Sequence, residues 1–242
     1  MRLHRRRGVG ADGDALLGPM ALGPDRARLA REALSGYPSG PDAPLVARSA
    51  ALARAESARS LVLVEGVSDQ VALETLAVRL DLDLTAAGVV VVPMGGAHAV
   101  VSHLVLFGPQ GADLEISGLC DEAEEEFFRR GLVAAGLGTP QSRSDMEALG
   151  FFVCVEDLED ELIRASGRDS IEALLDSQGD RGSFQTLQKQ PAWRDEPFEA
   201  QMRRFLGAGA SRKSRYAGLL VGARALERVP APLLGVLARA AR

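Results

Sequence analysis

One segment constrains this chain more than any other. Leu61-Val62-Leu63-Val64 is a short, wholly apolar run, closed by a carboxylate, Glu65, and then by Gly66. Consecutive apolar residues without polar alternation describe a strand buried on both faces, as in a parallel sheet covered by helices. A glycine directly after the acid lets the backbone turn sharply into the helical pattern that starts after Ser68. The strand therefore delivers an acid to its C-terminal end, where open α/β sheets bind ligands. Asp69, four residues on, can point back to the same spot, and Asp121 closes a later strand. Two strand-end carboxylates in one sheet suggest a divalent-metal site.

The residues that follow alternate. A helix is expected over 69–80, a second apolar strand over 89–92, closed by Pro93 and the pair Gly95-Gly96, and a helix over 98–107. A third strand over about 114–120 ends at Asp121, a helix covers 122–135, and 149–155 is a fourth strand. This β-α-β-α-β-α-β order predicts an α/β fold with a four-stranded parallel sheet and right-handed crossovers. Residues 157–166 read as a helix, two or three further helices are expected in 170–242, around Ile171–Ser177, Ala200–Leu206 and Arg215–Leu226, and the tail 233–240 can form a last one. Residues 1–45, interrupted by Pro19, Pro24, Pro38, Pro41 and Pro44, read as a poorly ordered arm with one short helix from Asp25 to Leu34. Three regions result: the arm (1–45), the sheet domain (46–167) and a helical C-terminal extension (168–242).

Apolar residues make up 46% of the chain but aromatics only 5%, so the core must be built mainly from Ala, Leu and Val. Charge is unevenly spread. Residues 60–167 carry 5 Lys/Arg against 19 Asp/Glu, whereas 1–59 and 168–242 are both net basic. Acids gathered in one domain repel one another unless a cation or a basic partner offsets them; a solvated acidic surface is the plainer alternative.

The two cysteines, Cys120 and Cys154, form neither a disulfide framework nor a zinc spacing and read as reduced core thiols. The basic start (Arg2, Arg5, Arg6, Arg7) is not followed by an apolar stretch of signal-peptide length. No window approaches the ~18 apolar residues of a membrane span. The expected location is cytoplasmic.

Taken together, Leu63-Val64-Glu65-Gly66, a helix, Gly95-Gly96 and a strand ending in Asp121 resemble a TOPRIM domain, a Rossmann-like parallel sheet flanked by helices. The match is nearest to the OLD (overcoming lysogenization defect) family of ATP-dependent endonucleases. It rests further on Asp69, the Pro93-Met94-Gly95-Gly96 turn, the segment Leu158-Glu159-Asp160-Glu161-Leu162 and a basic residue in a late helix, Lys213. The resemblance implies a Mg2+-dependent (or Mn2+-dependent) DNA endonuclease, with Glu65 as metal ligand and proton acceptor and Asp121 as a ligand shared by two metals. Asp69 and Glu159 or Asp160 would complete the ligand set, and Lys213 would stabilise charge on the scissile phosphate. Hard cations take oxygen donors, so this chemistry needs carboxylates and not His.

The chain departs from the family in two places. The family's Asp-x-Asp is here Asp121-Glu122-Ala123-Glu124, so Glu122 or Glu124 compensates or one metal site is weakened. No G-x-x-x-x-G-K-[ST] sequence is present, so no ATP site is expected in these residues and a separate ATPase subunit is the implied partner. DNA is the implied substrate, and a homodimer is left open. Arg212, Lys213 and Arg215 form a basic cluster that reads either as a DNA phosphate-contact surface or as a solvated helix cap. A catalytically weakened module that binds nucleic acid or a partner, and a metal-dependent phosphatase, are the rival functions.

Overall fold

A computed structural model describes residues 24–242; the first part of the expected N-terminal arm, including Arg5-Arg6-Arg7, lies outside the described residues. In chain order the elements are α1 (Pro24–Ala33), α2 (Ala43–Ala55), β1 (Ser60–Val64), α3 (Val67–Arg79), β2 (Val89–Pro93), α4 (Val100–Phe107) and β3 (Glu115–Asp121). There follow α5 (Glu125–Ala134), α6 (Arg143–Ala148), β4 (Phe151–Cys154), α7 (Leu158–Ser166), α8 (Arg168–Ser177), α9 (Arg181–Gln188), α10 (Phe198–Gly207), α11 (Ala210–Gly222) and α12 (Ala231–Ala240). No helix among the described residues is long and apolar enough to cross a membrane.

The four strands form one parallel sheet in the order β2-β1-β3-β4. From β1 the chain moves outward to β2, then returns to the other side of β1 to lay down β3. The boundary between β1 and β3 is therefore the topological switch point, where crossover connections diverge and leave a crevice at the strand C-termini.

Every residue of β1 and β2 is buried, as their uninterrupted apolar runs require. Alternation along β1 splits the core in two. Val62 and Val64 pack with Leu73 and Leu76 of α3, Leu162 of α7, Tyr216 and Leu220 of α11, and Val236 of α12. Leu61 and Leu63 pack on the opposite face with Ala51 of α2, Leu104 of α4, Phe128 of α5 and Met146 of α6. The C-terminal helices thus share one apolar core with the sheet. Small residues set two of these contacts: a Cβ on Gly218 of α11 would sit 3.0 Å from Val71 of α3, and one on Gly235 of α12 would sit 2.3 Å from the Phe152 ring. The close approach of α11 to α3 carries Lys213 to the C-terminal rim of the sheet.

Two helices depart from the sequence expectation, and so do the starts of two others, one of them the helix expected over 98–107, which opens with a 3-10 turn, Ala97–Ala99. The short polar segment of α6 has one buried apolar residue, Met146, too little to produce a periodic signal. It is held by its cap: Ser142 Oγ accepts from the Asp145 amide at 3.1 Å and Asp145 returns the bond to the Ser142 amide at 2.9 Å. The eight residues of α9 likewise bury only Phe184. The helix expected over 122–135 begins instead with a 3-10 turn, Glu122–Glu124, and becomes α-helical at Glu125.

Candidate metal centre

Pairing of β1 with β3 places Leu63 beside Gly118, so the chain leaves both strands at the same rim, with Glu65 and Asp121 at the two exits. Gly118 allows this close pairing: a Cβ there would lie 2.8 Å from the Phe151 ring and 3.2 Å from the Leu63 carbonyl. On the other side, the Glu65 carbonyl accepts hydrogen bonds from the amides of Gly95 and Gly96 at 2.9 and 3.1 Å. Both glycines hold positive φ, 83° and 119°, a conformation only glycine adopts without strain. The Gly95-Gly96 turn therefore fixes the backbone that carries Glu65.

Carboxylate oxygens of Glu65, Asp121 and Glu124 lie within 4.8 Å of one another. The 3-10 turn after Asp121 produces this meeting. It turns Glu124 back to the rim, while Glu122 pairs outward with Arg143, and Glu125 pairs with Arg143 and Arg129. Of the two acids that stood as alternatives for the missing second aspartate, Glu124 joins the cluster. Ala123 is exposed. Asp121 is also tied to β4's exit, since its Oδ1 accepts from the Leu158 amide at 3.2 Å.

Asp69 and Glu159 approach from the helices. Asp69 Oδ2 accepts the Gly66 amide at 2.8 Å, which caps α3 and seats the acid, 9% exposed, beside Glu65. Glu159, 6% exposed in the first turn of α7, faces Lys213, whose Nζ lies 3.0 Å from its Oε2. Its other oxygen, Oε1, is buried with no hydrogen-bond partner. An unpartnered buried carboxylate oxygen is costly in a folded chain and is the kind of atom a bound cation would satisfy.

The electrostatics agree. Burial pushes the Asp121 carboxyl up to about 8, with the charges of Asp69, Glu65 and Glu159 adding to it. Burial and Glu159 push Asp69 up to about 7, against the Gly66 amide and Lys213. Glu65 is raised by burial and then by Glu124, and Glu159 by burial against the pull of Lys213. Burial disfavours the Lys213 charge, yet Glu159 and Asp69 outweigh it and raise the ammonium above its ordinary value. A cluster of acids facing one lysine carries excess negative charge in a partly desolvated rim. The oxygen-only donor set fits a hard divalent cation.

Other residues singled out from the sequence lie elsewhere. Asp160 pairs with Arg164, one turn along α7, and the structure brings Glu159 rather than Asp160 to the cluster. Arg212 donates to the Phe205 carbonyl at 2.9 Å and stacks on its ring. Arg215, expected on a DNA-contact surface, is instead 3% exposed and locked to buried Asp180, which also accepts from Tyr216 Oη at 3.0 Å. The reason is helical spacing: residues two apart project in different directions. Of the three, Lys213 faces the acids, through Glu159. Sequence reasoning passed over the role of Asp157 among the neighbouring acids. It caps α7 by accepting the Asp160 amide at 2.7 Å, pairs with Arg203, and adds its charge to Glu65, Asp121 and Glu159. Its position directly before the apolar Leu158 is the N-cap signal that marked it.

A parallel sheet with acids at its switch point and a lysine opposite defines the TOPRIM class of α/β domain. The family model "Overcoming lysogenization defect protein-like, TOPRIM domain" matches residues 58–120, the stretch from β1 into β3. The chain is similar in fold to the C-terminal region of the Burkholderia pseudomallei OLD protein: 22% identity, TM-score 0.56, covering 76% of this chain and 97% of that one. It is also similar to the C-terminal region of the Xanthomonas campestris pv. campestris OLD protein: 23% identity, TM-score 0.60, covering 78% and 94%. No curated protein matches the chain.

Proposed function

We propose that this chain is a Mg2+- or Mn2+-dependent endonuclease that hydrolyses phosphodiester bonds in DNA. The observation that carries it is the convergence of Glu65, Asp121 and Glu124 at the switch point of a TOPRIM sheet, with the Glu159–Lys213 pair beside them. Glu65, Asp121 and Glu124 would hold a divalent cation, with Asp69 and Glu159 as further oxygen donors. When bound, such a cation neutralises charge on phosphate oxygens and lowers the pKa of a water. Glu65, its carboxyl raised above its ordinary value by burial and by Glu124, is suited to accept the proton of the attacking water. Lys213, held charged by its acidic neighbours, would move its positive end to the non-bridging oxygens of the scissile phosphate. An associated ATPase is the proposed partner.

Incubation with supercoiled plasmid tests this. Nicking that requires Mg2+ or Mn2+ and is lost in Glu65→Gln is the expected result. Wild type and variant that are equally silent, while still retarding DNA in a gel, would instead indicate a binding module. Turnover of small phosphate monoesters without nicking would indicate a phosphatase.

A further inference from the structure

At the other ends of α7 and α11 from the acidic cluster, a recess of about 150 Å³ opens between Ser166, Ser170, Leu174, Arg224 and Arg228. Its floor is a buried cation. Arg224 is 6% exposed, and its guanidinium donates only to neutral acceptors: the carbonyls of Leu162 and Arg228 and the hydroxyl of Ser166. Its Nε is buried without any partner. Among the described residues no carboxylate forms an ion pair with Arg224, Arg228 or nearby Arg79, whose own guanidinium donates to the Val221 carbonyl at 2.8 Å.

Buried charges are ordinarily paired, because removing an ion from water is costly unless an opposite charge compensates. Carbonyls at the C-terminal end of α7 supply part of that compensation through the helix dipole. They do not complete it. Burial, then Arg228 and Arg79, bring the Arg224 proton affinity down to about 10, and no neighbouring acid raises it. Elsewhere in this chain buried arginine is treated differently: Arg215, 3% exposed, is matched by buried Asp180.

We propose that this recess binds a small phosphoryl oxyanion, held by the Arg228 guanidinium and the Ser170 hydroxyl over the unpaired charge of Arg224, while Ser166 keeps its own hydroxyl bonded to the Leu162 carbonyl at 2.8 Å. Planar guanidinium forks suit the paired oxygens of a tetrahedral oxyanion, and hydroxyls complete its hydrogen bonding. The recess has room for one such group with a few waters. The ligand is inorganic phosphate or the terminal phosphate of a mononucleotide, and the site stands apart from the metal centre and from the function proposed for it.

The test is thermal denaturation and calorimetric titration of the full chain in EDTA, so that no cation recruits phosphate to the acidic cluster. Sodium phosphate is compared with sodium chloride at equal ionic strength. Phosphate should raise Tm saturably where chloride does not, as a ligand of the folded state must. Arg228→Gln, which changes an exposed side chain, should weaken binding about tenfold or more, the loss of one charge-assisted hydrogen bond. Arg224→Lys, if it folds, should weaken it as well. Competition by AMP but not adenosine assigns the site to phosphate monoesters; binding of inorganic phosphate alone assigns it to the free anion. The proposal is overturned if phosphate acts no differently from chloride, or if Arg228→Gln binds as wild type does. It is equally overturned if only an oligonucleotide with internal phosphates stabilises the chain.

Discussion

Lys213 Nζ lies 3.0 Å from one oxygen of Glu159, while the other oxygen of the same carboxylate is buried without a partner. The lysine comes from α11 and the acid from α7, so this contact joins the C-terminal helices to the acidic cluster on the sheet. It also separates two jobs. Lys213 offsets the acids in the resting protein, and the free oxygen of Glu159 marks where further positive charge is wanted. Replacing Lys213 with Met should therefore lower nicking by about 10²–10³-fold, the usual cost of removing one transition-state charge contact. The same variant should bind Mn2+ at least as tightly as wild type, because the rim becomes more negative. Nicking assays and calorimetry on one preparation check the pair of outcomes; a parallel loss of Mn2+ binding would contradict the division.

The apo protein should lose stability as pH rises. Asp69 and Asp121 keep their protons up to about 7 and 8 in the folded chain, whereas unfolded carboxylates release theirs near ~4. Between these values the folded state binds more protons than the unfolded state, so stability declines with increasing pH through that window. Saturating Mg2+ should flatten this decline, and Asp121→Asn should remove much of it, making the metal-free variant more stable than wild type at pH 8. Tm measured from pH 5 to 9 in EDTA checks this.

Glu124 and Glu122 should behave oppositely despite lying two residues apart. Glu124→Ala removes a carboxylate from the cluster and should weaken divalent-cation binding about tenfold or more. Glu122→Ala breaks a solvent-exposed ion pair with Arg143 and should change stability little, leaving cation affinity unchanged. Calorimetric titration of both variants distinguishes them.

Gly96→Ala should act on Glu65 at a distance. There is open space around Gly96, but its φ of 119° is a conformation an alanine pays ~1–3 kcal/mol to adopt. Relaxing it would displace the amide that bonds the Glu65 carbonyl. Tm and nicking should fall together, whereas Gly207→Ala, at the last residue of α10 with open space around it, should leave both close to wild type.

Much of this was legible in the residues. The uninterrupted apolar run ending in Glu65 and the later strand ending in Asp121 gave the parallel sheet and its acidic rim; a doubly covered strand such as β1 has no polar alternation to blur it. Gly95-Gly96 announced a turn, although its bonds to the Glu65 carbonyl became visible only with strand order. The choice between Glu122 and Glu124 was not legible: it depends on one 3-10 turn at the start of α5, which no side-chain periodicity encodes. Arg215 misled for a related reason. Neighbours in a basic run share a surface only if the helix leaves them there, and burial against Asp180 is a tertiary fact. Helices α6 and α9 were missed because each buries a single apolar residue.

The central claim is that Glu65, Asp121 and Glu124 together hold one divalent cation at the switch point between β1 and β3. Mn2+ binding followed by electron paramagnetic resonance, on wild type and on Asp121→Asn, tests it most directly. Saturable binding that is lost in the variant, while the variant stays folded, is the predicted result. Equal Mn2+ binding by the two proteins, or no saturable binding by wild type, would contradict it.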